Sequence, residues 1–515
     1  MTLTKRCLHI DELNSNYTTG RIDEGLLWPV ILRCSSLAHP PSPHRPLLDQ
    51  NNLNISATEN VADQDAGPNH DGSPVRNLLA LLPMTALWAL FAQGILSVTR
   101  LLTSMTVGGK FTAESKLGTD ANDQLGYYII GFSTLMLVVA LFEAFITTPL
   151  TVFIQKQQSH QKPSFSAQML IAGLLLIGVI VGVSGALVVA QSQTHYLNPG
   201  LAAALFAAAC LAPFQLLREF SRRWLLANLQ AKESAILEVV FAVLFFVGVL
   251  FLLFTEQLSA VAMFTALAII NAIGVAGWWL VFRKQFDFSG NKAIQPLGTQ
   301  ISENVRYGRW VAGENVCGVL TMYFCNWFLA YRLDEGITGV FGGCSTVVML
   351  ANPFLLGIAS ILAPRAAAAF NELGYPGMLK VLIKFGLVLL ALMSLLSLLL
   401  WFAGDRITTI MFPATEIYFT ENFAGQNQIT AMLGLALPAM GLSYLASCGL
   451  MAAHRPRDNF FSAIVGALVL IGLNLSFAET TLMTAAISFI LSFYAATACR
   501  LAFLVNAFLK NSLHN

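Results

Sequence analysis

Apolar stretches of about 20 residues or more recur along most of this 515-residue chain. That is the length of α-helix needed to cross roughly 30 Å of hydrocarbon at about 1.5 Å per residue. A soluble domain is about a quarter charged, whereas here charged residues are 11%, hydrophobic residues 56% and the mean hydropathy is +0.65. There is too little charge to coat a soluble protein of this size. The apolar blocks predict spans near 78–107, 125–154, 168–191, 198–227, 233–255 and 257–282, then a polar gap, then 309–331, 337–363, 377–402, 428–453, 459–477 and 480–508.

The expected organisation is a polar, disordered cytoplasmic tail (1–76), a six-helix bundle (77–282), a cytoplasmic linker (283–308) and a second six-helix bundle (309–515). Cytoplasmic loops carry the Lys and Arg of a membrane protein. With the N-terminus placed inside, only Arg100, Lys110, Lys116, Arg332 and Arg406 of the 29 basic residues fall outside. The alternation holds along the whole chain, so both termini are expected in the cytoplasm. Six of the eight cysteines lie in apolar blocks without metal-ligand spacing, and no Walker-type glycine loop is present. No cofactor, metal or nucleic-acid partner is expected.

The six-gap-six layout carries a weak internal repeat. Gly126-Tyr127-Tyr128 opens the second span and Gly339-Val340-Phe341 the eighth. Leu211-Ala212-Pro213 of the fourth span lies over Ala436-Leu437-Pro438 of the tenth, which puts Arg218 over Ser443. The second half lacks partners for both Glu143 and Arg218 in this register, so charge is expected to be handled mainly by the first half.

These residues resemble a known family. Phe111 through Leu125-Gly126-Tyr127-Tyr128 to Phe142-Glu143-Ala144, and Leu217-Arg218-Glu219-Phe220-Ser221-Arg222-Arg223-Trp224, look like bacterial polysaccharide-biosynthesis (Wzx-like) flippases. So do Asn352-Pro353-Phe354 through Leu362-Ala363-Pro364-Arg365. That family belongs to the superfamily of multidrug/toxin extruders and oligosaccharide exporters. The resemblance spans roughly 77–508. It implies an all-α integral membrane fold of twelve transmembrane helices, in two pseudo-repeated six-helix bundles around a central cavity (MATE-like). It further implies an inner-membrane flippase for an undecaprenyl-diphosphate-linked oligosaccharide, driven by H+ or Na+ and working beside other polysaccharide-assembly proteins. The alternatives are a multidrug/toxin extruder on the same fold, whose cavity should be acidic and aromatic, and a membrane polysaccharide polymerase or ligase. The absence of paired carboxylates or a nucleophile–base spacing argues against an enzyme.

A diphosphate calls for cationic donors, and the planar fork of Arg suits it. Arg218, Arg222 and Arg223 are the expected substrate ligands; alternatively they anchor the inner end of the span. Arg100 either lines the outer vestibule or reaches to the interface. Glu143, mid-span, and Glu314, near the inner end of the seventh span, are candidates for ion coupling, Glu143 alternatively for a structural hydrogen bond. Asn315 and Asn326 are eleven residues apart, close to three turns, and so share a stripe that can bind sugar hydroxyls or bridge helices. Pro149, Pro213, Pro353 and Pro438 each remove a backbone hydrogen bond inside a span, which suits hinges.

Overall fold

The computed structural model describes residues 84–108, 121–194, 197–289, 296–413 and 428–512. The expected tail 1–76 and most of the loop 403–427 lie outside these. All described helices belong to one unit, Ser73–Asn515. Among the described residues every regular element is helical.

The helices are α1 (Met84–Gly108), α2 (Asn122–Phe153), α3 (Lys162–Thr194), α4 (Pro199–Ala227), α5 (Ala231–Phe254) and α6 (Ala260–Phe282). Then come α7 (Leu297–Arg332) and α8, which starts at Glu335–Val348 and runs through a 3-10 turn (Met349–Ala351) into a long helix ending at Met411. That helix bends at Gly374, whose φ of 65° is open to glycine at little cost, and the part beyond the bend is α9. The last three are α10 (Ile429–Ala452), α11 (Pro456–Ser476) and α12 (Leu482–Ser512). Ten of these are long and apolar enough to cross a membrane. The two others are α1 and α7. In α7 the polarity has a local cause, since Glu314, Asn315 and Asn326 all interrupt its apolar run.

Tight reversals join α4 to α5, α5 to α6 and α10 to α11 by one device. A residue with positive φ (Leu229, Glu256, His454) lets the next N–H reach five residues back, as Gln230 does to the carbonyl of Leu225. These closures satisfy carbonyls left over at a helix end. They hold neighbouring helices antiparallel.

In the first half α1 packs on α5, α5 on α6, α6 on α4, and α4 on α2 and α3. In the second half α10 packs against the α8–α9 helix and α12, and α11 against α7 and α12. The halves meet where α2 packs on α7 and α8. The α2–α8 crossing is made by the repeat glycines: a Cβ on Gly126 would lie 1.9 Å from the carbonyl oxygen of Glu335, and one on Gly339 2.2 Å from that of Asn122. Only residues without a side chain let the backbones come so close.

Three of the four expected hinge prolines sit just after a backbone irregularity. Proline deprives the carbonyl four residues earlier of its donor and crowds it. Four residues before Pro149 is Phe145, inside a π-helical turn (Glu143–Thr147); four before Pro353 is Met349, which starts the 3-10 turn. Four before Pro438 is Gly434, where a short helix ends before the next begins at Ala436. Pro213 differs, being absorbed within the continuous α4.

Candidate functional site

Where α2 and α7 run side by side, two cavities lie along the seam. The larger, about 350 Å³, is lined by α2 (Glu143), α7 (Glu314, Asn315, Tyr323), α10 (Ser443, Tyr444), α11 and α12 (Arg500). The smaller, about 160 Å³, lies among α1, α2, α7 and α8. Tyr323 lines both.

The charged chamber is built from both halves. The π turn at Glu143 adds a residue to one turn of α2, a distortion that recurs at functional sites. The carboxylate of Glu143 accepts from Arg223 Nη2 at 2.8 Å, and Arg223 Nε in turn donates to Glu219 at 2.8 Å. Glu219 also takes a two-pronged contact from Arg222, at 2.5 and 3.0 Å. Glu143 is therefore the point at which the chamber meets a compact Glu–Arg network on α4.

Across the chamber, Glu314 accepts from Asn459 of α11 and lies 3.9 Å from Arg500. Arg500 Nη1 donates to Ser443 at 2.5 Å, while its Nε is buried without a hydrogen-bond partner. Asn459 Oδ1 is likewise buried and unpartnered. A buried donor without a partner is costly to maintain, and Arg500 lines the chamber with that donor unspent. Asn315 lines the same chamber and donates to the carbonyl of Ala140 at 3.2 Å, tying α7 to α2.

Arg218 is placed elsewhere. It points into the first half, where Nη2 meets Glu238 of α5 at 2.5 Å and Nη1 donates to Asn271 of α6 at 3.3 Å. Its guanidinium also sits 4.1 Å from the centre of the Phe241 ring. Nothing in that setting faces either cavity, so the expected substrate contact from Arg218 gives way to a buried ion pair that joins α4, α5 and α6. Asn326 lines the smaller cavity and donates to Ser133 at 3.0 Å. Arg100 lies on α1, its side chain outside the described set.

The second half, in which the repeat left Glu143 and Arg218 without partners, brings charge of its own to the chamber through Glu314 and Arg500. The register Arg218-over-Ser443 is met by another helix: Arg500 of α12 delivers a guanidinium to Ser443 itself. Arg500, Asn459 and Glu238 were missed because each lies in an apolar block scanned for length rather than for its interior charges. The signal was present, since a charge or amide within such a block faces the protein interior.

No protein-family model matches the chain. No curated protein matches it either. Solved structures do. An inward-facing multidrug-resistance MATE family transporter of the MOP superfamily aligns with TM-score 0.66 at 14% identity, over 82% of this chain and 98% of the other. The outward-facing conformation of such a transporter gives 0.62 at 13%, over 86% and 98%. A MOP superfamily transporter from Pyrococcus furiosus, whose binding pocket is described as of reversed polarity, suggesting a different function, gives 0.63 at 13%, over 85% and 96%. The chain thus has the all-α, MATE-like membrane fold.

Proposed function

We propose that this chain is a secondary transporter that flips a polyprenyl-diphosphate-linked oligosaccharide from the inner to the outer leaflet of the cytoplasmic membrane. The two halves act as six-helix bundles that expose the charged chamber alternately to each side, with both termini in the cytoplasm. The observation that carries this reading is Arg500, a buried guanidinium facing a chamber of about 350 Å³ with one donor unengaged. Such a group suits a phosphate oxygen, because charge-assisted bonds in a water-poor site are the strong ones. Glu143 and Glu314 are the carboxylates through which H+ or Na+ couples to the cycle; Arg223 holds Glu143, and Arg222 holds the Glu219 that Arg223 shares.

A second reading has support of its own. Two carboxylates and the rings of Tyr323, Tyr444 and Phe493 line the same chamber, an acidic and aromatic setting suited to an organic cation. Each carboxylate, however, already has an arginine nearby, Arg223 for Glu143 and Arg500 for Glu314, and the group left unengaged is an arginine N–H rather than an acceptor for a cation.

The test is a proteoliposome assay with a labelled polyprenyl-diphosphate oligosaccharide. Protein-dependent movement of label between leaflets, lost in Arg500→Ala, is the expected outcome. Expulsion of an organic cation by vesicles that leave the lipid unmoved would replace this reading with that of a drug extruder.

A further inference from the structure

The smaller cavity differs from its neighbour in kind. Among its described lining residues there is no ionisable acid or base other than tyrosine. Its polar wall includes Ser133, Asn326, Ser345, Thr346 and Asn352, with Ser97 and Ser104 from α1, and the rings of Tyr128, Phe132 and Tyr323 complete it.

The hydrogen-bond ledger of that wall is one-sided. Ser133 spends its proton on the carbonyl of Ile129 at 2.7 Å. Ser345 and Thr346 both spend theirs on the carbonyl of Gly342, at 2.9 and 2.8 Å. Asn326 gives an N–H to Ser133, and its Oδ1 is left buried without a partner although the residue is only 3% exposed. On Ser133, Ser345 and Thr346 the hydroxyl hydrogens are committed to backbone, so these oxygens offer lone pairs. A ligand rich in O–H donors gains from such oxygens.

Size and shape narrow the choice further. About 160 Å³ is the room of roughly five waters, too much for one bare ion and suited to one sugar ring. Aromatic faces pack against the C–H side of a ring while oxygens take its hydroxyls. Tyr323 stands between this cavity and the charged chamber, with its ring centre 6.3 Å from that of Phe132.

We infer that the cavity among α1, α2, α7 and α8 is a separate carbohydrate subsite, with Asn326 Oδ1 among its acceptors. The inference rests on the flippase reading in assigning the phosphate to the charged chamber beyond Tyr323. The sugar site itself stands without it. A glycolipid bound across Tyr323 has its sugar and its diphosphate held by different walls, so its direction in the cavity is fixed.

The test uses purified full-length protein in detergent and a panel of free hexoses, N-acetylhexosamines and their disaccharides, read by saturation-transfer NMR. At least one sugar should receive saturation from the wild-type protein. The signal should fall at least tenfold in Asn326→Leu and clearly in Thr346→Val, which keeps its shape and loses only the hydroxyl. Arg500→Ala should leave it unchanged. Silence across the whole panel with wild type, or full signal in both Asn326→Leu and Thr346→Val, overturns the inference. These probes carry neither phosphate nor lipid. A protein that binds them and fails to flip the glycolipid sinks the proposed function alone, whereas one that flips it and ignores every sugar sinks the subsite alone.

Discussion

Replacing Arg218 with Ala should damage the fold rather than the cargo site. The Glu238 carboxylate is 1% exposed and 2.5 Å from the arginine it would lose. Two unit charges with centres about 4 Å apart attract by about 4 kcal/mol at an effective dielectric of about 20. Breaking a buried pair by removing one partner costs about 3–5 kcal/mol, because the survivor stays charged and unpaired. Asn271 would also lose its bond to the guanidinium, and Phe241 its cation. The pair as a whole is a different matter, since swapping both members for apolar residues is often neutral or stabilising by about 1–4 kcal/mol. Arg218→Ala should therefore melt well below wild type in detergent, as followed by size-exclusion chromatography after heating. The double variant Arg218→Leu with Glu238→Leu should recover most of the loss and regain transport. If Arg218→Ala keeps wild-type stability yet abolishes transport, or if the double variant melts as low as the single one, the assignment of Arg218 to the scaffold is wrong.

Gly126→Ala should destabilise by about 1–3 kcal/mol or more, because the new Cβ meets a carbonyl oxygen that cannot move aside. Gly185→Ala on α3, where nothing lies within 4 Å, should instead stabilise by up to about 1 kcal/mol through helix propensity; equal melting temperatures for the two would refute the contrast. Pro149→Ala returns a donor to the π turn and lets α2 wind regularly, which shifts Glu143 relative to Arg223. Transport should slow while thermal stability holds or rises, and an unchanged transport rate would show that the π turn is not needed for the cycle.

The sequence announced its helices clearly because a bilayer imposes length, and length is read directly from apolar runs. Gly126 and Gly339 were also legible as a repeat, although nothing local said that they would touch the opposite half. Side-chain direction was another matter. Arg218, Arg222 and Arg223 are neighbours in sequence, yet the first faces α5 and α6 while the third reaches across to Glu143. A helix turns about 100° per residue, so their separation in space depends on which neighbours surround α4, and that is tertiary information. Arg500 looked like a cytoplasmic anchor near the end of the last apolar block. In fact α12 continues to Ser512, which leaves the arginine well inside the helix and beside Ser443. The interrupted turns fall where proline chemistry puts them, four residues upstream, but whether a proline is absorbed, as Pro213 is, depends on its surroundings.

The crossing of α2 and α8 at Gly126 and Gly339 has the character of a latch. It brings peptide against peptide, with the carboxylates of Asp123 and Asp334 beside Gly336 and Ile129 packed on Gly342 further along. Contacts of that kind, Cα–H against carbonyl oxygen, are worth about 0.5–1 kcal/mol each. A seam so closely fitted leaves no room between the two backbones where they touch. A side chain added there would jam it in shape long before it changed the chemistry of anything passing through.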